Sequence, residues 1–199
     1  MSSEFSLGDT NAFYLNFILG NTKELVASSV NEKMKGMGVF RMAAKGLASS
    51  LVSAEKVTDG FSDKISEILP KILQDDAGID AKFEKKFTYK NFCVIRVEVK
   101  SLEFRKLMAK SKGDEFADTF EALMNNLDKL GLDEQRAGVE AKIHSKVTIG
   151  LYDKLAELLP EKLTEKGLSC EVKACSLNEQ AEFFFQVLEE LNEDQKGKK

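Results

Sequence analysis

The sequence has little of several residue types that carry chemistry in proteins. Its 199 residues include no tryptophan, two prolines, one histidine and three cysteines. The odd, sparse set of cysteines (Cys93, Cys170 and Cys175) argues against a disulfide framework and predicts a reducing, cytoplasmic location. The single histidine, His144, cannot build a metal site without further ligands at a matching spacing. The sequence therefore predicts neither a metal nor a cofactor.

Long apolar runs and known catalytic motifs are also missing. Because no stretch of about 18 apolar residues occurs, we expect no membrane-spanning helix. The first residues contain acidic and polar side chains where a secretory signal needs a basic start and an apolar run, so we expect no signal peptide. The formal net charge of −4 argues against nucleic-acid binding. Phosphate-binding loops, zinc-protease and nucleophile-elbow motifs are absent. We therefore predict no catalytic residues and favour a non-enzymatic protein.

A repeated segment is the strongest pattern that the sequence does contain. Residues 57–73 read VTDGFSDKISEILPKIL and residues 147–163 read VTIGLYDKLAELLPEKL, with 9 of 17 positions identical. Apolar residues recur at helical spacing in both copies, which predicts two similar amphipathic helices. Pro70 and Pro160 fall at matching places and predict a kink or a restart there. Gly60 and Gly150 are predicted to be points where the two halves approach closely.

Periodicity and turn residues predict the remaining elements in order. Strands are indicated where apolar and charged residues alternate, and helices where apolar residues recur every three or four positions. The expected helices cover about 11–31, 33–56 and 57–73, then 103–111 and segments that begin at 114 and 133. The expected strands cover about 79–87, 92–102, 168–177 and 181–191.

This order predicts an α+β protein built from a duplicated helix-helix-strand-strand unit. The halves are residues 1–102 and 103–191, packed as a single domain, and residues 192–199 are expected to be a disordered tail. A four-stranded antiparallel sheet with two strands from each half, backed by the long helices, buries all the apolar faces. The halves are expected to be related by a pseudo-twofold axis.

Consecutive phenylalanines in the last predicted strand carry the functional prediction. Alternation along a strand puts Phe183 and Phe185 on one face and Phe184 on the other, so both faces need an apolar contact. With Phe92 they are the candidate ligand or interface residues. We predict a binding protein whose apolar cavity or sheet face takes a hydrophobic small molecule or lipid. The alternative is a protein-interaction or adaptor module, or a homodimeric scaffold that covers the same surface.

A basic stretch between Glu32 and Glu55 has two interpretations. Its cations are Lys33, Lys35, Arg41 and Lys45. Abundant small residues favour a buried helix that approaches a neighbour closely. The alternative is a basic amphipathic helix that associates with a membrane surface.

Overall fold

A computed structural model describes residues 11–20, 53–165 and 168–196, and within them the protein is α+β with a four-stranded antiparallel sheet and five helices. The order is β1 (Ala12–Leu19), α1 (Ala54–Ala77), β2 (Ile79–Tyr89), β3 (Phe92–Leu102), α2 (Phe104–Lys112), α3 (Asp114–Lys129), α4 (Asp133–Glu165), β4 (Cys170–Cys175) and α5 (Gln180–Lys196). The predicted α+β class and a four-stranded antiparallel sheet are confirmed, but the sheet is not built from the strands that were predicted.

The sheet is ordered β2-β3-β1-β4, and every neighbouring pair is antiparallel. With the helix pair α2–α3 and the terminal α5 set aside, the described elements run β-α-β-β-α-β. This order and these directions are those of the split β-α-β arrangement. The two central strands, β1 and β3, are consequently covered on both faces and contribute most of the fully buried side chains.

Helices α1 and α4, which contain the repeated segment, pack on the same sheet face. Phe61 of α1 meets Phe17 of β1 edge-to-face, with ring centroids 5.2 Å apart. Tyr152 of α4 meets Phe13 of β1 in the same way at 5.5 Å. This face holds the main core, which is completed by Leu15, Ile95 and Val97. The opposite face is covered by α5 over a smaller cluster around Phe92 and Val94.

The predicted hairpin is present, with Lys90 at the turn and in the left-handed region at a φ of 53°. A bulge between Lys85 and Phe87 interrupts the alternation of β2. Phe87 therefore belongs to the outer cluster, with Phe92, rather than to the main core of Phe83. Gly78 ends α1 in the left-handed conformation at a φ of 64°, which glycine adopts without a steric penalty.

Two element predictions were wrong. Residues 12–19 form a central strand, not the start of a helix over 11–31. Residues 180–196 form a helix, so the expected strand over 181–191 is absent and residues 192–196, expected in a disordered tail, are helical. Three strands consequently come from the first half and one from the second, and the described elements do not follow a helix-helix-strand-strand order. The predicted helices over 21–31 and 33–52 lie outside the described residues.

The restart predicted at the prolines of the repeat, as the alternative to a kink, is not found, and the close approach predicted at its glycines is wrong. Both helices continue through Pro70 and Pro160, so neither restarts there. Leu69 and Leu73 pack on the core from both sides of Pro70, and this burial offsets the lost hydrogen bond. A Cβ added at Gly60 or Gly150 meets no atom within 4 Å, so neither glycine marks a close approach.

Candidate interaction surface

The predicted ligand residues on α5 lie against the outer face of the sheet. The Phe184 ring is 4.8 Å from that of Phe87 and 6.0 Å from that of Phe92, which is fully buried. Phe183 lies beneath Lys173, whose Nζ is 4.4 Å from the ring centroid. Phe185 points outward and is 64% exposed. Helix α5 itself therefore covers the apolar sheet face at Phe92. Phe183, Phe184 and Phe185 remain candidate ligand or interface residues, but they lie on a packed helix and not on a strand.

Two contacts fix α5 at its N-terminus. Ser176 and Glu179 form a capping box, in which the Glu179 carboxylate accepts from the Ser176 backbone N–H at 2.9 Å and from its hydroxyl at 2.8 Å. These bonds hold the pKa of Glu179 below its usual range. One turn on, Gln180 and Asn16 of β1 exchange two buried hydrogen bonds. The helix is thus tied to a central strand by polar as well as apolar contacts.

The cleft beside Phe183 is not an apolar cavity. It has a volume of about 280 Å³ and is lined by charged and polar groups that include Lys173, Glu182 and Gln186. A hydrophobic ligand of the kind predicted from the sequence would have to desolvate these groups. The four cations of the basic stretch noted in the sequence lie outside the described residues; they are Lys33, Lys35, Arg41 and Lys45.

Within the described ranges, no group of three or more histidine, cysteine or acidic residues is placed to hold a metal ion. All three cysteines are free thiols. Burial raises the pKa of Cys93 and of Cys170 to about 12, and that of Cys175 to about 11. Such thiols are overwhelmingly protonated near neutral pH and are poor nucleophiles. None of the helices in the described part of the chain is long and apolar enough to cross a membrane.

Helix α3 carries an exposed apolar stripe, which we call the α3 stripe. Its members are Phe116, Leu123 and Leu130, which are 47%, 53% and 71% exposed. They recur every seven residues, and the half-buried Phe120 and Leu127 lie between them at alternating steps of four and three. This is the spacing of a helix that packs along one seam against another helix. Contiguous exposed apolar residues of this kind mark interaction surfaces.

One flank of α3, about a quarter turn from the α3 stripe, is held by the rest of the protein. Ala117 and Met124 are buried. Arg105 of α2 pairs with Asp118 at 2.8 Å, and Arg136 of α4 pairs with Asp128. Exposed ion pairs contribute little, so the rotation of α3 is set mainly by the burial of Ala117 and Met124 and by the packing of Phe120 against Phe104 of α2, with ring centroids 6.2 Å apart. The α3 stripe is therefore held outward by the fold itself.

The sequence already contained the α3 stripe, but only as an amphipathic pattern. The apolar residues from Phe116 to Leu130 predicted a helix with one apolar face, and such a face is usually taken as core. The pattern alone does not say whether this chain or another one covers it. The exposed fractions of the side chains make that distinction.

Comparison with known proteins does not assign a class. No protein-family model, curated protein or solved structure matches this chain. The functional assignment therefore rests on the geometry of its own residues.

Proposed function

We propose that this protein is a non-enzymatic interaction module that pairs with a second copy of itself along the α3 stripe. The observation that carries the proposal is the exposure of Phe116, Leu123 and Leu130 at heptad spacing on a helix that is anchored along the neighbouring flank. Apolar side chains in this arrangement gain free energy when a second helix removes them from water.

The stripe suits an antiparallel pair related by a twofold axis. Phe116 and Leu130 are both seven positions from Leu123, so the stripe is symmetric about that residue. Antiparallel pairing places Leu123 against the partner's Leu123 and Phe116 against the partner's Leu130. A twofold interface uses the same patch on both subunits, and a patch with this internal symmetry satisfies that requirement.

Charges beside the stripe favour the same arrangement. The exposed residues along its middle are the uncharged Thr119, Ala122 and Asn126, so no like charges oppose one another there. Near the N-terminal end lies Glu115, and near the C-terminal end lies Lys129. In an antiparallel pair, Glu115 of each protomer approaches the partner's Lys129. A parallel pair would instead bring like charges together at both ends.

Pairing through the edges of the sheet is less favourable. The edge strand β2 carries two irregularities, after Asp80 and after Lys85, and exposes two lysines, Lys82 and Lys86. Bulges and lysines are the features that keep edge strands from pairing with other chains. The other edge, β4, has only six residues.

Self-association tests the proposal directly. A single helix pair of this length buries less than the roughly 800 Å² per partner of a standard interface, so we expect a dissociation constant on the order of micromolar or weaker. Sedimentation equilibrium from about 1 μM to about 1 mM covers that range. Leu123→Glu places two carboxylates at the twofold axis and is expected to give a monomer throughout.

Phe185→Glu is the matched control, because it also replaces an exposed apolar side chain with a charge, but on α5. We expect this variant to associate like the wild type. A wild-type monomer at the highest concentration would contradict the proposal. So would a dimer whose association is lost in Phe185→Glu and kept in Leu123→Glu.

A reducing, cytoplasmic location remains part of the proposal. Its support is the presence of three free cysteines without a disulfide among them. Cell fractionation, followed by alkylation of the thiols in urea so that the buried cysteines are reached, is the corresponding test. Recovery of the protein outside the cytoplasm, or of a disulfide-linked form, would contradict this part of the proposal.

We further propose that the repeat reflects a duplicated β-α-β unit. The units are β1-α1-β2 and β3-α4-β4, which moves the division from residue 102 to the turn at Lys90 and Asn91. Exchanging the two units leaves the strand order β2-β3-β1-β4 unchanged when it is read from the other edge.

Equivalent residues in the two copies support this unit. Thr58 and Thr148 are both fully buried, and each hydroxyl oxygen lies 2.9 Å from the carbonyl oxygen four residues earlier; that of Thr58 also lies 2.9 Å from the Lys90 carbonyl oxygen. Ile68 and Leu158 are both exposed, at 48% and 46%. An experimental structure in which Thr58 and Thr148 are not equivalent after superposition of the units would contradict the duplication and the pseudo-twofold axis.

A further inference from the structure

A second surface feature, unrelated to the α3 stripe, is a cavity beside the middle of α4. It has a volume of about 670 Å³ and lies between α4, the end of β3 and the start of α2. Three small side chains at steps of four, Ala137, Ala141 and Ser145, leave the space open along α4. This volume is within the range of sites for small organic molecules.

The walls of the cavity combine apolar and polar groups. Leu102 and Phe104 supply apolar surface, and Lys142, His144 and Ser145 supply polar groups. The carboxylate in the lining, Glu140, accepts from Arg136 Nε at 2.9 Å and is therefore already paired. Within the described ranges, Lys142 has no ion-pair partner. The charge left for a ligand is thus positive.

His144 gives a second indication that a polar partner is missing. Its Nδ1 is buried and has no hydrogen-bond partner among the described residues. Buried polar atoms are nearly always hydrogen-bonded, so an orphaned one needs a physical reason. His144 also lines the cavity, so a ligand there would supply a partner for this nitrogen once the imidazole turns toward it.

We propose that the cavity binds a small amphipathic anion, with an aromatic or similarly flat apolar body and a carboxylate. The body packs on Phe104 and the alanine side of α4, and the carboxylate faces Lys142, His144 and Ser145. This retains a small-molecule function for the protein but moves the site away from Phe183–Phe185. The site does not depend on self-association through α3.

The sole histidine makes a direct test possible. The probe is 2-naphthoate, titrated into the full chain made without a histidine tag and followed by the imidazole C–H signals in proton NMR. Because the chain has one histidine, these signals report on His144 alone. We expect a saturable shift in the wild type. No shift up to millimolar probe would overturn the proposal.

Two variants separate binding in the cavity from adsorption elsewhere. Ala141→Leu fills part of the cavity from an exposed helix position. It is expected to weaken binding of 2-naphthoate at least about tenfold, which is comparable to the loss of one buried apolar group. Ala181→Leu makes the same change on α5 and is expected to bind like the wild type. Unchanged affinity in Ala141→Leu would overturn the site.

The class of ligand is tested by removing its charge. The uncharged analogue 2-naphthalenemethanol should bind roughly two- to fivefold more weakly than 2-naphthoate, which is the effect of one solvent-accessible ion pair. Lys142→Gln should abolish that difference. Equal binding of the two probes by the wild type would overturn the assignment to anions.

Discussion

Asn16 and Gln180, which are 164 residues apart in sequence, exchange two hydrogen bonds of 2.8 Å between their side-chain amides. Asn16 is 1% exposed and sits in the central strand β1, and its Nδ2 also lies 3.2 Å from the Lys173 carbonyl oxygen. Buried amides in a pair satisfy one another, whereas either one alone is left desolvated. The pair therefore fixes where α5 docks on the sheet.

A double-mutant cycle should reveal this dependence. We expect Asn16→Leu and Gln180→Leu each to lower the free energy of unfolding by about 1–3 kcal/mol, because the first leaves the Gln180 amide unpaired and the second leaves Asn16 Oδ1 without a donor. The free energy of unfolding of the double variant should fall by clearly less than the sum of the two single effects. Urea denaturation of the two single variants and the double variant measures these free energies. Gln186→Leu on the exposed side of α5 is the control and should change stability by no more than about 0.5 kcal/mol. Strict additivity in the cycle would show that the amides do not depend on each other.

The glycines of α1 and α4 should be replaceable with a gain in stability. Gly60 and Gly150 lie inside helices, and a Cβ at either position meets no neighbour within 4 Å. Alanine in a helix interior is favoured over glycine by about 0.5–1 kcal/mol, so each Gly→Ala change should raise the free energy of unfolding by that amount.

Gly78→Ala is the contrasting variant for this prediction. Gly78 has a φ of 64°, and a Cβ there would lie 2.9 Å from Glu103 Cβ. Strain and overlap should lower stability by about 1 kcal/mol or more. Thermal or urea unfolding of the three single variants provides the comparison. Destabilisation by Gly60→Ala or Gly150→Ala would mean that the helices are more crowded than the structure indicates.

The sequence predicted strands best where one face is charged. In β3, Arg96, Glu98 and Lys100 alternate with buried residues, and the strand was found correctly. In β1 the residues of both faces are largely buried, since α1 and α4 cover one side and α5 the other. A strand buried on both sides loses its alternation and cannot be distinguished from a helix by period. This is why β1 was predicted as helical.

The error at α5 had a recognisable local signal. Three successive phenylalanines suggested a strand, because aromatic residues favour strands. However, Ser176 and Glu179 have the spacing of a capping box and precede apolar residues at helical steps, including Phe183, Val187 and Leu191. The position of α5 on the sheet was not predictable, because it depends on the pairing of Asn16 with a residue at the other end of the chain.

The capping box predicts a specific pH dependence of stability. The bonds from Ser176 lower the pKa of Glu179 in the folded state. Such a carboxylate contributes stability that is complete above its unfolded pKa, about 4.3, and is lost as the pH falls through the lower folded value. Glu179→Ala should therefore cost about 0.5–2 kcal/mol at pH 7 and distinctly less near pH 3.

The free energy of unfolding of wild type and Glu179→Ala, measured at a series of pH values, tests this dependence. Glu189→Ala, at an exposed position in the same helix, controls for general charge effects. If the cost of Glu179→Ala were the same at pH 3 and pH 7, the charged form of Glu179 would not be responsible for the cap.

The thiols should be nearly unreactive in the folded protein. With pKa values of about 12 for Cys93 and Cys170 and about 11 for Cys175, the thiolate fractions at pH 8 are far below that of an unperturbed cysteine. We expect alkylation by iodoacetamide at pH 8 to be at least about 100-fold slower in the native protein than in urea. Intact-mass measurement over time counts the modified thiols. A thiol that reacts at the unfolded rate would contradict the burial of that residue.

Charge reversal at the two ends of the α3 stripe tests the orientation of the proposed dimer. In the antiparallel arrangement Glu115 approaches the partner's Lys129, and the contact occurs twice because of the twofold axis. Glu115→Lys or Lys129→Glu alone should weaken association, since each places like charges together at both ends; exposed pairs are worth about 0.2–1 kcal/mol each. The double variant Glu115→Lys/Lys129→Glu restores opposite charges and should recover most of the affinity. Sedimentation equilibrium at low salt maximises the effect, because salt screens exposed charges.

In a parallel dimer the single reversals would leave each residue facing a copy of itself, and the double variant would gain nothing over either single one. Failure of the double variant to recover would therefore exclude the antiparallel register, even if Leu123→Glu still abolished the dimer.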